Sequence, residues 1–345
     1  MRIAIDVMGG DHAPDAILKG ALDALDVIGP ADELVLVGQP AVIEDVLRER
    51  RIVDSRVVVE PASEIIGMGD KAAQAVRGKP ESSIVKMALL GSRKAQRPVD
   101  VCLSAGNTGA CVAAAIMHMK RMPGVHRPGI AVTIPALVGP VVLCDAGANP
   151  EPLPSHLWQY GVMASTYAQH VLGIATPRVA VMNIGSEEGK GSDLVRSAHD
   201  LLKQTPGINY IGNVEGRDLF DGAADVVITD GFVGNTLLKM AEGLAASLLK
   251  AIAHEVAAAD PELILQLEPV IRRIYKKNDY HEYGGAPLLG VNGAFMIAHG
   301  SSEARTIRAA IRNSRDFVAT GVNEAIRRRI AEIEGLTPSP TEEHA

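Results

Sequence analysis

The sequence predicts an α/β protein built on a largely parallel sheet, and three observations point there. Short apolar runs rich in Val and Ile recur along the chain, and several are separated by alanine- and leucine-rich stretches of helical length. Five of the runs end the same way, in Gly with Asn, Asp or Ser, before a helical stretch. With 47% hydrophobic and 22% charged residues over 345 positions, the chain can bury a sizeable core.

Taken in order, the first strand is Ile3–Val7, which breaks into "MGGDHAP". Glu33–Val37 and Arg56–Val59 follow. Val99–Ser104 breaks into "SAGNTGA" and a helix over Gly109–Met119. Ile130–Ile134 and Val141–Cys144 come next, the latter running into "DAGANP" and a helix over Leu153–Leu172. Val179–Asn183 opens into "NIGSEEGKG", Tyr210–Asn213 follows, and Val226–Thr229 opens into "DGFVGN". There is no internal repeat. One domain is expected over 1–335, with a projecting helical segment at about 245–280 and a disordered tail over 336–345, where "TPSPTEEHA" lacks apolar periodicity.

Composition excludes several functions. A net charge of −7 leaves no global basic field for nucleic acid, and 3% aromatics give no stacking surface. No uninterrupted apolar run reaches the roughly 18 residues of a spanning helix. No signal peptide is expected, and the three cysteines, Cys102, Cys111 and Cys144, form no CxxC pair. A cytoplasmic setting is expected, with the cysteines as small buried hydrophobes rather than nucleophiles.

The five glycine loops carry the functional argument. In a parallel sheet the strand C-termini share one edge, and ligands bind in the crevice beyond it. Glycine lets backbone N–H groups approach a ligand, and a following helix adds unpaired N–H groups and a positive dipole end. These loops are therefore expected to converge on one anion-binding cleft, although Gly and Asn are also ordinary turn residues. Known nucleotide motifs fail. Gly185–Ser192 is one residue short of a P-loop and has Gly191 where Ser or Thr should stand, and no GxGxxG follows a strand. Asp11 and His12 lack a clear third metal ligand, and no GxSxG elbow exists. Lys190, among Gly185, Gly189 and Gly191, is either a point charge for an oxyanion or a solvated lysine paired with Glu187 or Glu188. Asn235 either caps the helix it opens or donates to an oxyanion, and capping is the simpler reading.

Together "MGGDHAP", "SAGNTGA", "DAGANPEPLPSHLWQYGVMA", "NIGSEEGKG", "GNVEGRDLFDGAADVVITDGFVGN", "EYGGAPLLGVNG" and "HGSS" resemble the bacterial acyl-acyl-carrier-protein:phosphate acyltransferases of phospholipid synthesis, from Met1 to about Arg329. The resemblance implies a three-layer α/β/α fold similar to phosphotransacetylase and to isocitrate/isopropylmalate dehydrogenase. It implies transfer of a long acyl chain from acyl carrier protein to inorganic phosphate, with no cofactor or metal. It also implies a homodimer, peripheral membrane contact, and hand-off of acyl phosphate to a glycerol-3-phosphate acyltransferase. Phosphate and substrate would be held by Gly9, Gly10 and Asp11; by Ser104, Gly106, Asn107, Thr108 and Gly109; and by Asn149, Asn183, Gly185 and Gly234. Lys190 and Asn235 would stabilise the carbonyl oxygen or the attacking phosphate. His12 is a candidate donor to the leaving thiolate, against a packing or turn role.

The stretch from Asp260 adds a surface. Leu263 and Leu267 lie on an amphipathic stripe, Ile264 and Leu265 fall off it, and Arg272, Arg273, Lys276 and Lys277 follow. Apolar tip plus cations suits a lipid interface, and the same apolar excess suits a dimer interface. Carrier protein would dock on Arg272 and Arg273 or on the Arg305/Arg308/Arg312/Arg315 helix face, which otherwise reads as solvated charge.

Overall fold

Strands are named β1–β11 in chain order. In a computed structural model describing residues 1–136, 138–259, 269–270 and 284–333, they form one sheet ordered β3-β2-β1-β4-β11-β10-β5-β6-β9-β7-β8. Nine correspond to the expected runs: Arg2–Asp6, Glu33–Gly38, Val57–Pro61, Val101–Ser104, Gly129–Ile134, Val141–Cys144, Arg178–Met182, Asn209–Val214 and Val226–Ile228. The other two, β10 (Ala286–Leu289) and β11 (Ala294–Ile297), were not foreseen.

Alternation along the strands makes three layers. Ile3, Ile5 and Val7 face a helical layer that includes Ile17, Leu18, Trp158 and Phe317, whereas Ala4 faces Ile84 and Met87 on the other side. In the second half, Val142 and Cys144 join the first layer, while Val141 and Leu143 pack with Ala180, Met182 and Leu237.

The expectation of a single carboxyl edge fails. β3, β2, β1, β4 and β11 are mutually parallel, but β10–β11, β10–β5 and β5–β6 are antiparallel pairs. These pairings reverse the sense, so β6, β9, β7 and β8, parallel among themselves, run opposite to β1 and β4. The loops after β1 and β4 therefore leave at one edge of the sheet, and those after β6, β7 and β9 at the other.

The helix after β9, Gly231–Ala259, is a single run of 29 residues. Leu263, Ile264, Leu265, Leu267, the four cations after them and the tail 336–345 lie outside the described residues.

Candidate active site

The bare backbone of "MGGDHAP" is explained first by loop packing. Asp6, fully buried at the end of β1, accepts from Ser104 Oγ (2.7 Å) and Met8 N (3.1 Å). Ser104 Oγ in turn accepts from Gly106 N at 3.0 Å. A Cβ at Gly9 would run into the Asp6 carboxylate and stand 2.9 Å from the Gly106 backbone. Gly9, Ser104 and Gly106 thus bind the loops after β1 and β4 to each other. Gly10 adopts φ +119°, and Asp11 N donates to Gly300 O at 2.8 Å, joining the "HGSS" turn. His12 is exposed, so it is not a core-packing residue; its carbonyl accepts from Ala16 N at 3.0 Å in the turn, and its ring has no hydrogen-bond partner among the described residues.

Asn107 is fully engaged. Its Oδ1 caps the helix Thr108–Ala114 by accepting from Ala110 N (3.0 Å), and its Nδ2 donates to Met68 O (3.0 Å) and Asp70 O (3.1 Å). That leaves the N–H groups of Thr108 and Gly109, in the first turn, without acceptors among the described residues. Asn107→Ala is expected to cost about 1–2 kcal/mol, the value of a cap, and to loosen 67–70, read by urea unfolding and proteolysis at that loop.

A second buried carboxylate organises the loop after β6. Asp145 accepts from Ile130 N (2.9 Å), Gly147 N (3.2 Å), Ala148 N (3.0 Å) and Asn149 N (2.7 Å). Burial pushes its carboxyl up to about 6. Asn149 Nδ2 donates to Pro128 O (2.7 Å) and the Tyr160 hydroxyl (2.6 Å), so its amide group serves the scaffold. After β9, Asp230 Oδ1 accepts from Val233 N at 2.8 Å and caps the long helix, the role considered for Asn235. Gly234 is obligatory because a Cβ there would strike the Asp145 carbonyl. Asn235, one residue on, keeps its side-chain amide without a partner among the described residues.

In the loop after β7, Asn183 Nδ2 donates to Lys190 O (3.0 Å) and its Oδ1 accepts from Ile184 N (2.8 Å), closing the turn over Gly185. Ser192 caps the next helix through Val195 N. Glu188 pairs with Lys203 (2.8 Å), and the exposed Lys190 has no carboxylate partner among the described residues, so the pairing with Glu188 is not formed.

A cavity of about 700 Å³ opens at the centre of the sheet. It meets loops from both edges: Thr108 after β4, Ala146 after β6, Asn235 after β9 and His299 after β11. Much of its wall is apolar, including Ile130, Val132, Ile134, Leu238, Met296 and Ile297. Lys190, His12, Gly9, Gly10, Asn183, Gly185 and Gly234 are not among its lining residues. Two lining residues were missed by sequence reasoning. His299 Nδ1 lies 2.7 Å from Ser301 Oγ, and Glu242, two turns beyond Asn235, has its carboxyl pushed up by burial while His299 opposes the shift. The "HGSS" motif held the first signal; an acid on an otherwise apolar helix stretch held the second.

All three cysteines are buried, and burial pushes every thiol up, that of Cys111 to about 12, so none is a ready nucleophile. Among the described residues, no cluster of three His, Cys, Asp or Glu could hold a metal ion.

Residues 1–325 match the profile of a family described as fatty acid synthesis protein. Three relatives named phosphate acyltransferase share this sequence nearly end to end. That of Desulfitobacterium hafniense is 44% identical over 96% of this chain and 98% of its own. Those of Heliobacterium modesticaldum and Bacillus subtilis are 45% and 40% identical over the same shares. The chain belongs to the phosphate acyltransferase family. It is an acyltransferase, as the motif resemblance implied. The fold of this phosphate acyltransferase family member is similar to a phosphotransacetylase from Streptococcus pyogenes (TM-score 0.58, 16% identity, 94% of each chain). It is also similar to the 4-hydroxythreonine-4-phosphate dehydrogenase of Klebsiella pneumoniae (TM-score 0.51, 13% identity, 92% of this chain and 97% of that one). No described helix is long and apolar enough to cross a membrane.

Proposed function

We propose that the protein transfers a long acyl chain from acyl carrier protein to inorganic phosphate. One observation carries this reading: a largely apolar cavity is lined both by Thr108, the first residue of a helix, and by Asn235, whose side-chain amide has no partner among the described residues. Thr108 and Gly109 N–H groups, with the dipole of their helix, suit a phosphate oxyanion. Asn235 suits the oxygen of the tetrahedral intermediate. A thioester carbonyl is already activated, so holding phosphate in line with it supplies much of the acceleration, roughly 7–11 kcal/mol in well-aligned cases. The phosphate oxygen attacks the carbonyl carbon, the C–S bond breaks, and the thiolate takes a proton. His299, steadied by Ser301 and lining the cavity, is better placed for that proton than His12.

Lys190 would act from outside the cavity wall as a charge that gathers phosphate. Met240, Leu244, Leu248 and Ile252, spaced by four on the long helix, are 61%, 64%, 57% and 43% exposed, which supports a homodimer along that stripe, with peripheral membrane contact through the segment beyond it. Arg308 and Arg315 are tied to Asp26 (2.8 Å) and Asp32 (3.2 Å), so the late helix offers the acidic carrier fewer free cations than its sequence suggests. The product would pass to a glycerol-3-phosphate acyltransferase.

The test is to incubate the protein with palmitoyl carrier protein or palmitoyl-coenzyme A and phosphate, then trap acyl phosphate with hydroxylamine. Hydroxamate from the carrier thioester is the expected result. Product from coenzyme A alone would move the donor assignment, and binding without product would make the protein a non-catalytic acyl or phosphate binder.

A further inference from the structure

The central cavity exists because two strands part company. β5 and β10 share only two paired positions, Leu288 with Ile130 and Leu289 with Gly129. Beyond them β5 continues alongside β6, whereas Ala286 and Pro287 turn to pair with β11. Pro287, which has no N–H to donate, stands where the pairing stops. The resulting slit opens to both faces of the sheet. On one face the cavity is lined by Thr108, Asn235 and Ile297; on the other by Tyr167, Leu172 and Phe317.

Two packed aromatics stand on the far side. Tyr167 and Phe317 are 7% and 3% exposed, with ring centroids 6.2 Å apart. The Tyr167 hydroxyl lies 3.2 Å from Thr133 Oγ1, which satisfies its polar tip and leaves its ring to the cavity. We infer that this slit is the acyl-chain site and that the Tyr167–Phe317 pair is the stop that sets chain length. The thioester sits between Thr108 and Asn235, and the chain passes between β5 and β10 until its methyl end meets the two rings. The inference rests on the acyl transfer proposed above and adds where the chain goes and what measures it. The volume lies within the roughly 300–1,000 Å³ of ligand sites, and much of the wall is apolar, with Arg312, Asn313 and Asp316 also lining it near Phe317.

The test is calorimetric binding of laurate, myristate, palmitate and stearate, below micellar concentrations, to the whole protein. In the wild type, affinity is expected to rise about fourfold per methylene, about 0.8 kcal/mol, up to a limiting length and then level off. Phe317→Ala is expected to move that limit to a longer chain. Leu172→Trp, at a half-buried position on the far wall, is expected to move it to a shorter one, so the test does not depend on a single core variant folding. A limit that stays put in both variants, or no chain-length dependence in the wild type, overturns the inference. If acyl phosphate forms while the limit is unmoved, the chain site alone falls. If the limits move as expected but no thioester yields acyl phosphate, the site stands and the transfer reading falls.

Discussion

Asp145→Ala is expected to remove at least about 4 kcal/mol of folding stability, a large part of the 5–15 kcal/mol typical of a domain. The carboxylate accepts four backbone N–H groups, from Ile130, Gly147, Ala148 and Asn149. Leaving one such donor unsatisfied in a buried site costs about 1–3 kcal/mol, and the lower figure applied four times gives the estimate. Asp145→Asn should cost about half as much. One amide oxygen can still serve the three donors on Oδ1, while the NH₂ would oppose Asn149 N. Urea unfolding of the three proteins checks the order, and equal stability of Asp145→Ala and the wild type would show that the loop is held by other contacts. The pH dependence gives a second check. Burial raises the native carboxyl from 3.8 to about 6, so between those values the native state holds a proton that the unfolded chain has released. Stability from this group is therefore fully present below about pH 4 and lost as pH rises through 6. That slope should vanish in Asp145→Asn.

Asp6 and Asp145 also show what the sequence concealed. Both stand at the end of an apolar strand, before a glycine loop, in "IAIDVMGG" and "VVLCDAGAN". Their neighbours were legible as ligand loops, but the acids themselves read as turn formers. In fact each carboxylate is the anchor that shapes its loop, and burial raises both. Several amides assigned to substrate, those of Asn107, Asn149 and Asn183, are consumed by the same scaffolding. Short polar side chains in βα loops hydrogen-bond backbone and ligand with equal ease, and spacing alone does not separate the two.

Strand positions were legible because burial on both faces leaves near-continuous apolar runs. Direction was not, and the error came from one omission. β10 and β11 are four residues each, separated by Gly290–Gly293, and too short for a periodicity argument. Their antiparallel insertion is what reverses the second half of the sheet and opens the slit beside β5. The cleft was anticipated from loop composition on the premise of a common edge. The cavity found instead takes in residues that follow β4, β6, β9 and β11, and none of its lining residues comes from the loops after β1 and β7.

That geometry separates two residues that the sequence treated alike. Asn235→Ala is expected to lower kcat by roughly 10²–10³, about 3–4 kcal/mol, with little change in the KM for phosphate. Asn235 lines the cavity, as Thr108 does, and its side-chain amide makes no hydrogen bond among the described residues, so truncation removes a donor without breaking a hydrogen bond. Stability should stay within about 0.5 kcal/mol of the wild type, as for exposed helix positions away from caps. Asn235→Asp keeps the shape but replaces the N–H donor with a charge that repels an oxyanion, so its kcat should fall at least as far. Lys190 lies outside the cavity wall, on a loop whose closure depends on Asn183 and its own carbonyl. Lys190→Ala is therefore expected to raise the KM for phosphate about tenfold, the worth of one hydrogen bond to a charged group, and to spare kcat at saturating phosphate. Lys190→Arg should recover most of the loss if the ammonium acts as a collecting charge. A hundredfold fall in kcat for Lys190→Ala at saturating phosphate would place the lysine at the reacting carbonyl instead. Unchanged kcat in Asn235→Ala would remove the asparagine from the oxyanion site.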